Sequence, residues 1–314
     1  MASLPFSLPC LAGKVYLVTG GNTGVGYYTV AELVKKGARV YIGARSRGKA
    51  ESAINGIKSE HADADLHFLQ MDLTDLQSVV NAAKQLREKE PKLHGLINNA
   101  GIMATPFVLT ADGFEAQWQT NYLSHWLLTW HLLDTLSATT REEGSPPGAV
   151  RIVDVTSDGH QFAPKAGIDF ADLKQEKGGI WSRYGMSKVG NILHAKQLNK
   201  LYGPNGSEAE ANGIIWTAAV HPGHLDTNLN RQTALPTCFN TILKAVGAYS
   251  HAREGAYNSV FAVASPDFKE ADSGEYFVPG QKRKQPSKVA KDMELAQRLW
   301  AWTEEEMRNR DLLG

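Results

Sequence analysis

Short runs of apolar and β-branched residues alternate along the chain with longer stretches whose apolar positions recur every three or four residues. "KVYLVTG", "ARVYIG", "DLHFLQM", "HGLINNAG", "AVRIVDVTS" and "GIIWTAAVHPG" read as strands. Between and after them, helices are predicted over Val25–Lys36 (closed by Gly37), "RGKAESAINGIKSE", Leu76–Glu90 (stopped by Pro91), Asp112–Ser137 and Tyr184–Leu201. Lys282–Lys284 reads as a solvated basic turn before a last helix at about 288–308. Strand alternating with helix implies an α/β fold: a doubly wound parallel sheet covered on both faces, with right-handed crossovers. No shift in composition marks a boundary, so residues 1–314 read as a single domain.

Composition narrows the function. Apolar residues make up 42% of the chain, enough for a substantial core. Lys plus Arg and Asp plus Glu both number 33, which argues against nucleic acid or an anionic membrane as the main partner. Two distant cysteines, Cys10 and Cys238, make no disulfide framework and point to a reducing, cytoplasmic setting. The opening "MASLPFSLPCLAG" is apolar but broken by Pro5 and Pro9 and lacks a basic lead, so it is a poor signal peptide. It is expected to pack on the domain or stay loose, with contact to a membrane or a partner as the alternative. No run approaches the length of a membrane span.

The first strand runs into "TGGNTGVG", and a helix follows. Gly20, Gly24 and Gly26 allow a tight turn, and the helix amides after it can hold a pyrophosphate. Asn22, Thr23 and Val25 complete that cradle. An acid usually ends the second strand where NAD is bound; here Ala44 stands there and Arg45 follows. A guanidinium without the acid favours a 2′-phosphate, hence NADP(H). Arg47 and Lys49 could assist or simply be solvated.

"SRYGMSKVGN" places Tyr184 and Lys188 four apart on a helix, on one face. A free phenol has a pKa near 10, and a neighbouring ammonium favours its ionised form. The pair gains meaning from its order after the glycine loop, "NNAG" and a strand ending in Ser157. With Asp72 in "MDLTD", Asn121, and "HPG" followed by Thr227, the chain resembles the short-chain dehydrogenase/reductase family, and its middle looks like the retinol-dehydrogenase-like branch. The resemblance spans about residues 12 to 280 and implies a Rossmann-type fold. It implies that Tyr184 gives a proton to the substrate oxygen and that Lys188 tunes it and holds the nicotinamide ribose. Ser157 would bond the same oxygen, and Asn121 would hold a water that relays protons to Lys188. Asp72 and Leu73 would touch the adenine, and Asn99, Ala100 and Gly101 would line the adenosine. Pro222, Gly223 and Thr227 would fix the carboxamide.

Each of these residues also has a plain structural reading. Ser157 can cap a helix, Asn121 can face water, and Asp72 or Thr74 can cap the next helix. Asp154 and Thr156 depart from the commonest residues of their strand and are expected to matter little. His160, His221 and His224 show no zinc-ligand spacing, so no metal is expected. The segment from Asp158 to Arg183 is similar to the branch's insertion and should form part of a pocket rim near Phe162 and Trp181, together with "IMATPF" (102–107). Residues Leu225 to Tyr249, a substrate loop over about 225–250, read as a lid. Trp118, Tyr122, Trp126 and Trp130 form a helical stripe, core or subunit interface; the family implies a homodimer. The expected activity is NADPH-dependent reduction of a small or mid-sized, mostly apolar carbonyl compound, or its reversal. A non-redox dehydratase, isomerase or cyclase, and a non-catalytic dinucleotide sensor, are the alternatives.

Overall fold

The computed structural model describes residues 4–142, 144–224 and 251–313. Its strands are β1 (Val15–Thr19), β2 (Arg39–Ala44), β3 (Asp65–Gln70), β4 (Gly95–Asn98), β5 (Arg151–Val155), β6 (Trp216–Val220), β7 (Glu275–Val278) and β8 (Lys282–Arg283). They form one sheet in the order β3-β2-β1-β4-β5-β6-β7-β8, parallel except for the antiparallel pair β7–β8. The helices are α1 (Gly24–Val34), α2 (Arg47–Glu60), α3 (Leu76–Lys89), α4 (Ala116–Trp118), α5 (Ser124–Thr140), α6 (Ile180–Tyr202), α7 (Ala209–Asn212), α8 (Ala252–Ala264) and α9 (Met293–Arg308).

The two-residue repeat of the strands sorts the core into two layers. In β1, Val15 and Leu17 face a cluster built with α3, α5, α6 and α9, while Tyr16 and Val18 face one built with α1, α2 and α8. Both faces are therefore covered, as a parallel sheet requires. Ser46 caps α2 and Asp75 caps α3, each accepting a backbone N–H three residues on. The strand order reverses between β1 and β4, which opens a crevice at the carboxyl ends of the central strands.

Several expectations change. Lys282 and Arg283 are the edge strand β8 rather than a turn, with Arg283 paired to Asp272. The last helix starts at Met293, where Asp292 caps it, after a short 3-10 turn at Val289–Lys291. The long central helix starts at Ala116 and passes through a π turn, Gln119–Leu123, before α5. Trp118, Tyr122 and Trp126 are buried, and α9 of the same chain covers the stripe: Trp300 lies 5.2 Å from Trp126, and the Tyr122 hydroxyl bonds Thr303. The stripe is thus core, and it no longer supports a homodimer. The N-terminal segment packs on the domain, with Leu8 and Leu11 buried and Phe6 edge-on to Phe261. Among the described residues no helix is long and apolar enough to cross a membrane.

Candidate active site

The glycine loop joins β1 to α1 and leaves no room for side chains. A Cβ on Gly26 would stand 2.4 Å from the Gly20 carbonyl oxygen. Gly20 has φ +65° and Gly24 φ +56°, a left-handed backbone that glycine adopts without strain. Thr23 is the extended N-cap, Asn22 precedes it, and Val25 and Gly26 sit in the first turn, where amides have no intrahelical partner. Such a bare backbone at a helix N-terminus fits a pyrophosphate. Asn99 locks the loop, with its side chain donating to the Thr19 carbonyl, while the Asn99 and Ala100 amides donate to the Thr19 hydroxyl.

Ala44 ends β2, and Arg45 next to it is 73% exposed, with its guanidinium 3.9 Å from the Asp72 carboxylate. Asp72 does not cap α3; it accepts from the amide and hydroxyl of Thr74. The carbonyl of Leu73 is taken by Ser124. Arg47 is turned aside, over the Phe68 ring and 3.5 Å from Glu51.

At the ends of β4, β5 and β6 the chemical residues come together. Tyr184 is 3% exposed, on α6. Burial pushes its phenol up to about 12, and hydrogen bonding with Ser157 opposes the rise. Its ring lies against Gly159, where a Cβ would stand 2.6 Å from Cε1. Lys188, one turn on, lies 5.7 Å from the Tyr184 ring centre and donates from Nζ to the Val155 carbonyl. Burial pulls its ammonium down to about 8, and the Asp154 charge holds it up. A Cβ on Gly101 would crowd the Asn121 side-chain oxygen at 3.0 Å, with Lys188 Nζ in ordinary contact at 3.6 Å.

Ser157 caps the 3-10 turn Asp158–Phe162 by accepting the Gly159 amide, and its hydroxyl donates to Asp158 at 3.2 Å. Cap and candidate catalytic group are therefore the same residue. Asn121 lies in the π turn and is fully buried rather than facing water. Its amide is engaged on both sides of Ile102 and on Ser187, and its carbonyl accepts from His125 Nδ1 at 3.0 Å. His125 Nε2 meets the Thr19 hydroxyl, which already accepts two amides. That leaves Thr19 the donor, so His125 is neutral with its proton on Nδ1, in keeping with burial that lowers it to about 4. This bridge from the glycine strand to Asn121 had no signal in the sequence.

Asp154 is 1% exposed, accepts from Asn98 at 2.8 Å and bonds His194 at 3.0 Å. It stands at the root of the site, contrary to the expectation that it matters little.

Pro222 and Gly223 follow β6, with Gly223 at φ +95°. Thr227 and the lid, Leu225–Tyr249, lie outside the described residues. The rim expected at Phe162 and Trp181 is present, with Trp181 edge-on to Tyr184 at 6.2 Å. Beside it opens a cavity of about 1070 Å³ between the end of β6, the start of α8 and the segment after β7. Its described wall mixes polar groups (Asp158, His221, His224, Glu254) with Tyr257 and Val278. Among the described residues, one group of possible metal ligands comes together at this wall, although the chain spacing shows no zinc pattern. Ligand atoms of Asp158, His221 and His224 lie within 4.8 Å of one another. Spacing could not reveal this group, because the aspartate follows β5 and the histidines follow the neighbouring β6.

The chain has clear relatives among known proteins. Residues 14–167 match a family model described as short chain dehydrogenase. The chain is 74% identical over 311 residues to the short-chain dehydrogenase/reductase drtF of Aspergillus calidoustus, covering 99% of both chains. It is 36% identical over 297 residues to retinol dehydrogenase 12 of Homo sapiens, covering 92% of this chain and 85% of that one. A short chain dehydrogenase from Burkholderia cenocepacia, solved in complex with NADP, superposes with a TM-score of 0.62 at 26% identity, over 86% of this chain and 97% of the other.

Proposed function

The chain belongs to the short-chain dehydrogenase/reductase family, and from that premise we propose that it reduces a ketone or aldehyde to an alcohol, or runs the reverse oxidation, with NADP(H) and with Tyr184 as general acid/base. One observation carries the reading: the buried Tyr184 phenol is hydrogen-bonded with Ser157, and Lys188 Nζ lies 5.7 Å from its ring centre, at the carboxyl ends of the central strands. The bare glycine loop fits the cofactor's pyrophosphate, and Arg45 beside Asp72 favours NADP over NAD. A neighbour solved with NADP supports that choice. When bound, the cofactor supplies the hydride to the carbonyl carbon.

The chain's own groups hold and move the proton. Burial keeps the Tyr184 phenol protonated at neutral pH, as an acid in reduction must be. Lys188 stands over the ring and stabilises the phenolate left behind. Ser157 turns its hydroxyl from Asp158 to the substrate oxygen, an oxyanion-type contact. Asn121 pins Ile102 and α6 so that the pocket wall keeps its place. The two-cysteine count supports a reducing, cytoplasmic setting.

The test uses Tyr184→Phe, which keeps the ring and removes the transferable proton. NADPH-dependent turnover of a panel of aldehydes and ketones should fall by at least about 100-fold while cofactor binding survives. In the parent, 4-deuterated NADPH should place deuterium on the product carbon. Unlabelled product with no cofactor consumed would refute the reductase and favour proton-only chemistry.

A further inference from the structure

We propose that Asp158, His221 and His224 bind one divalent transition-metal ion of the zinc type at the wall of the cavity. The proposal does not depend on the reductase reading, because it rests on a separate set of side chains.

The fold builds the site from two adjacent parallel strands. Val155 of β5 pairs with Val220 of β6, so the turns that follow them emerge side by side. One delivers Asp158 and the other His221. Gly223, at φ +95°, turns the chain so that the His224 ring faces His221 with centres 5.7 Å apart. His224 Nε2 stands 3.1 Å from one Asp158 oxygen, and His221 Nε2 stands 3.7 Å from the other. In a tetrahedral zinc site with bonds of about 2.0–2.1 Å, ligand atoms stand roughly 3.3 Å apart. The two histidine–aspartate edges reach different oxygens of the carboxylate, and the three ligand atoms lie within 4.8 Å of one another, so a small turn of the carboxylate and the rings brings one oxygen and both nitrogens onto a single ion.

The donor set chooses the ion. Two imidazoles and one carboxylate suit zinc, cobalt or iron(II); magnesium and calcium prefer all-oxygen ligands. Three protein ligands leave a position open to the cavity, as in exchangeable rather than closed structural sites. The support behind the ligands is uneven. Ser157 donates to Asp158 and orients the carboxylate, whereas His221 Nδ1 accepts a long bond from the Gly223 amide and would have to surrender it. A missing acceptor behind a ligating histidine costs about 10–100-fold in affinity, so binding weaker than at a fully supported site is expected. An ion here sits one hydrogen bond from Ser157 and withdraws charge from the carboxylate that holds the serine hydroxyl, so occupancy reaches the candidate active site.

The experiment uses full-length protein freed of metal by a chelator. Cobalt(II) titration should give a d–d absorption band that saturates at one equivalent, and zinc should displace it. His224→Ala and Asp158→Asn should each weaken binding by at least about tenfold while the melting temperature holds. His67→Ala, which removes the exposed His67–Asp65 pair, should leave binding intact. Absence of the band, survival of binding in both His224→Ala and Asp158→Asn, loss of it in His67→Ala, or a thiolate charge-transfer band from a cysteine ligand would each overturn the proposal.

Discussion

Replacing Asp154 by Asn removes a negative charge while keeping the side chain's shape and a carbonyl oxygen for Asn98. The structure turns that change into a pH effect. Lys188 is buried, and burial pulls its ammonium down to about 8; the Asp154 charge is what opposes the fall. Losing the charge must therefore lower Lys188 further. An opposite charge close by is worth about 1–3 pKa units, and taking one unit is the conservative choice. The ammonium fraction at pH 8 then drops from about one half to about one tenth, and at pH 7 from about nine tenths to about one half. Chemistry that needs the ammonium should fall about fivefold at pH 8, about twofold at pH 7, and hardly at pH 6. The alkaline limb of kcat/KM moves about one unit toward acid. Other ionisable groups around this point are Tyr184 on α6, His194 bonded to Asp154, and His125 and Tyr122 on the π turn and α5. His194→Gln changes the packing but leaves the carboxylate, so its alkaline limb should stay where the parent's is. The assay is NADPH consumption at saturating cofactor from pH 5.5 to 9, with thermal unfolding as a check on folding. A uniform loss of rate with an unmoved limb in Asp154→Asn would show that the residue only packs, and the reasoning would fail.

Arg45→Ala should weaken NADPH by about 1 kcal/mol, a value reduced for the exposure of this guanidinium, and leave NADH nearly unchanged; a fluorescence titration with both cofactors decides it, and equal affinities in the parent refute it. Gly26→Ala should abolish cofactor binding and cost about 1–3 kcal/mol in urea unfolding, because its Cβ would collide with the Gly20 carbonyl; an unaffected Kd would contradict the assigned cradle. Glu115→Ala strips the partner from Arg183, both being almost fully buried 3.4 Å apart, and should destabilise the protein by about 3–5 kcal/mol, with a change under 1 kcal/mol ruling out an unrelieved charge.

What the sequence makes legible is what is local. The six strands and the helices between them follow from periodicity, and they recur within a few residues of their expected ends. Tyr184 and Lys188 are legible because one helical turn is all that joins them. β7, Glu275–Val278, leads straight into β8 with no helical stretch between to mark it as part of the alternation, and β8 exists only as its antiparallel partner. The roles of Asp154 and His125 are set by residues from several elements: Asn98 on β4, His194 on α6, Thr19 on β1. No spacing along the chain records such a junction. The histidines at 221 and 224 show the same limit, since their third partner arrives from a neighbouring strand. A covered stripe is equally silent in sequence: Trp126 looks the same whether Trp300 of its own chain or a second copy lies on it. Burial of Lys188, opposed by the Asp154 charge, would set the pH range in which the proposed Tyr184–Lys188 pair works, and neither cause is visible in the motif itself.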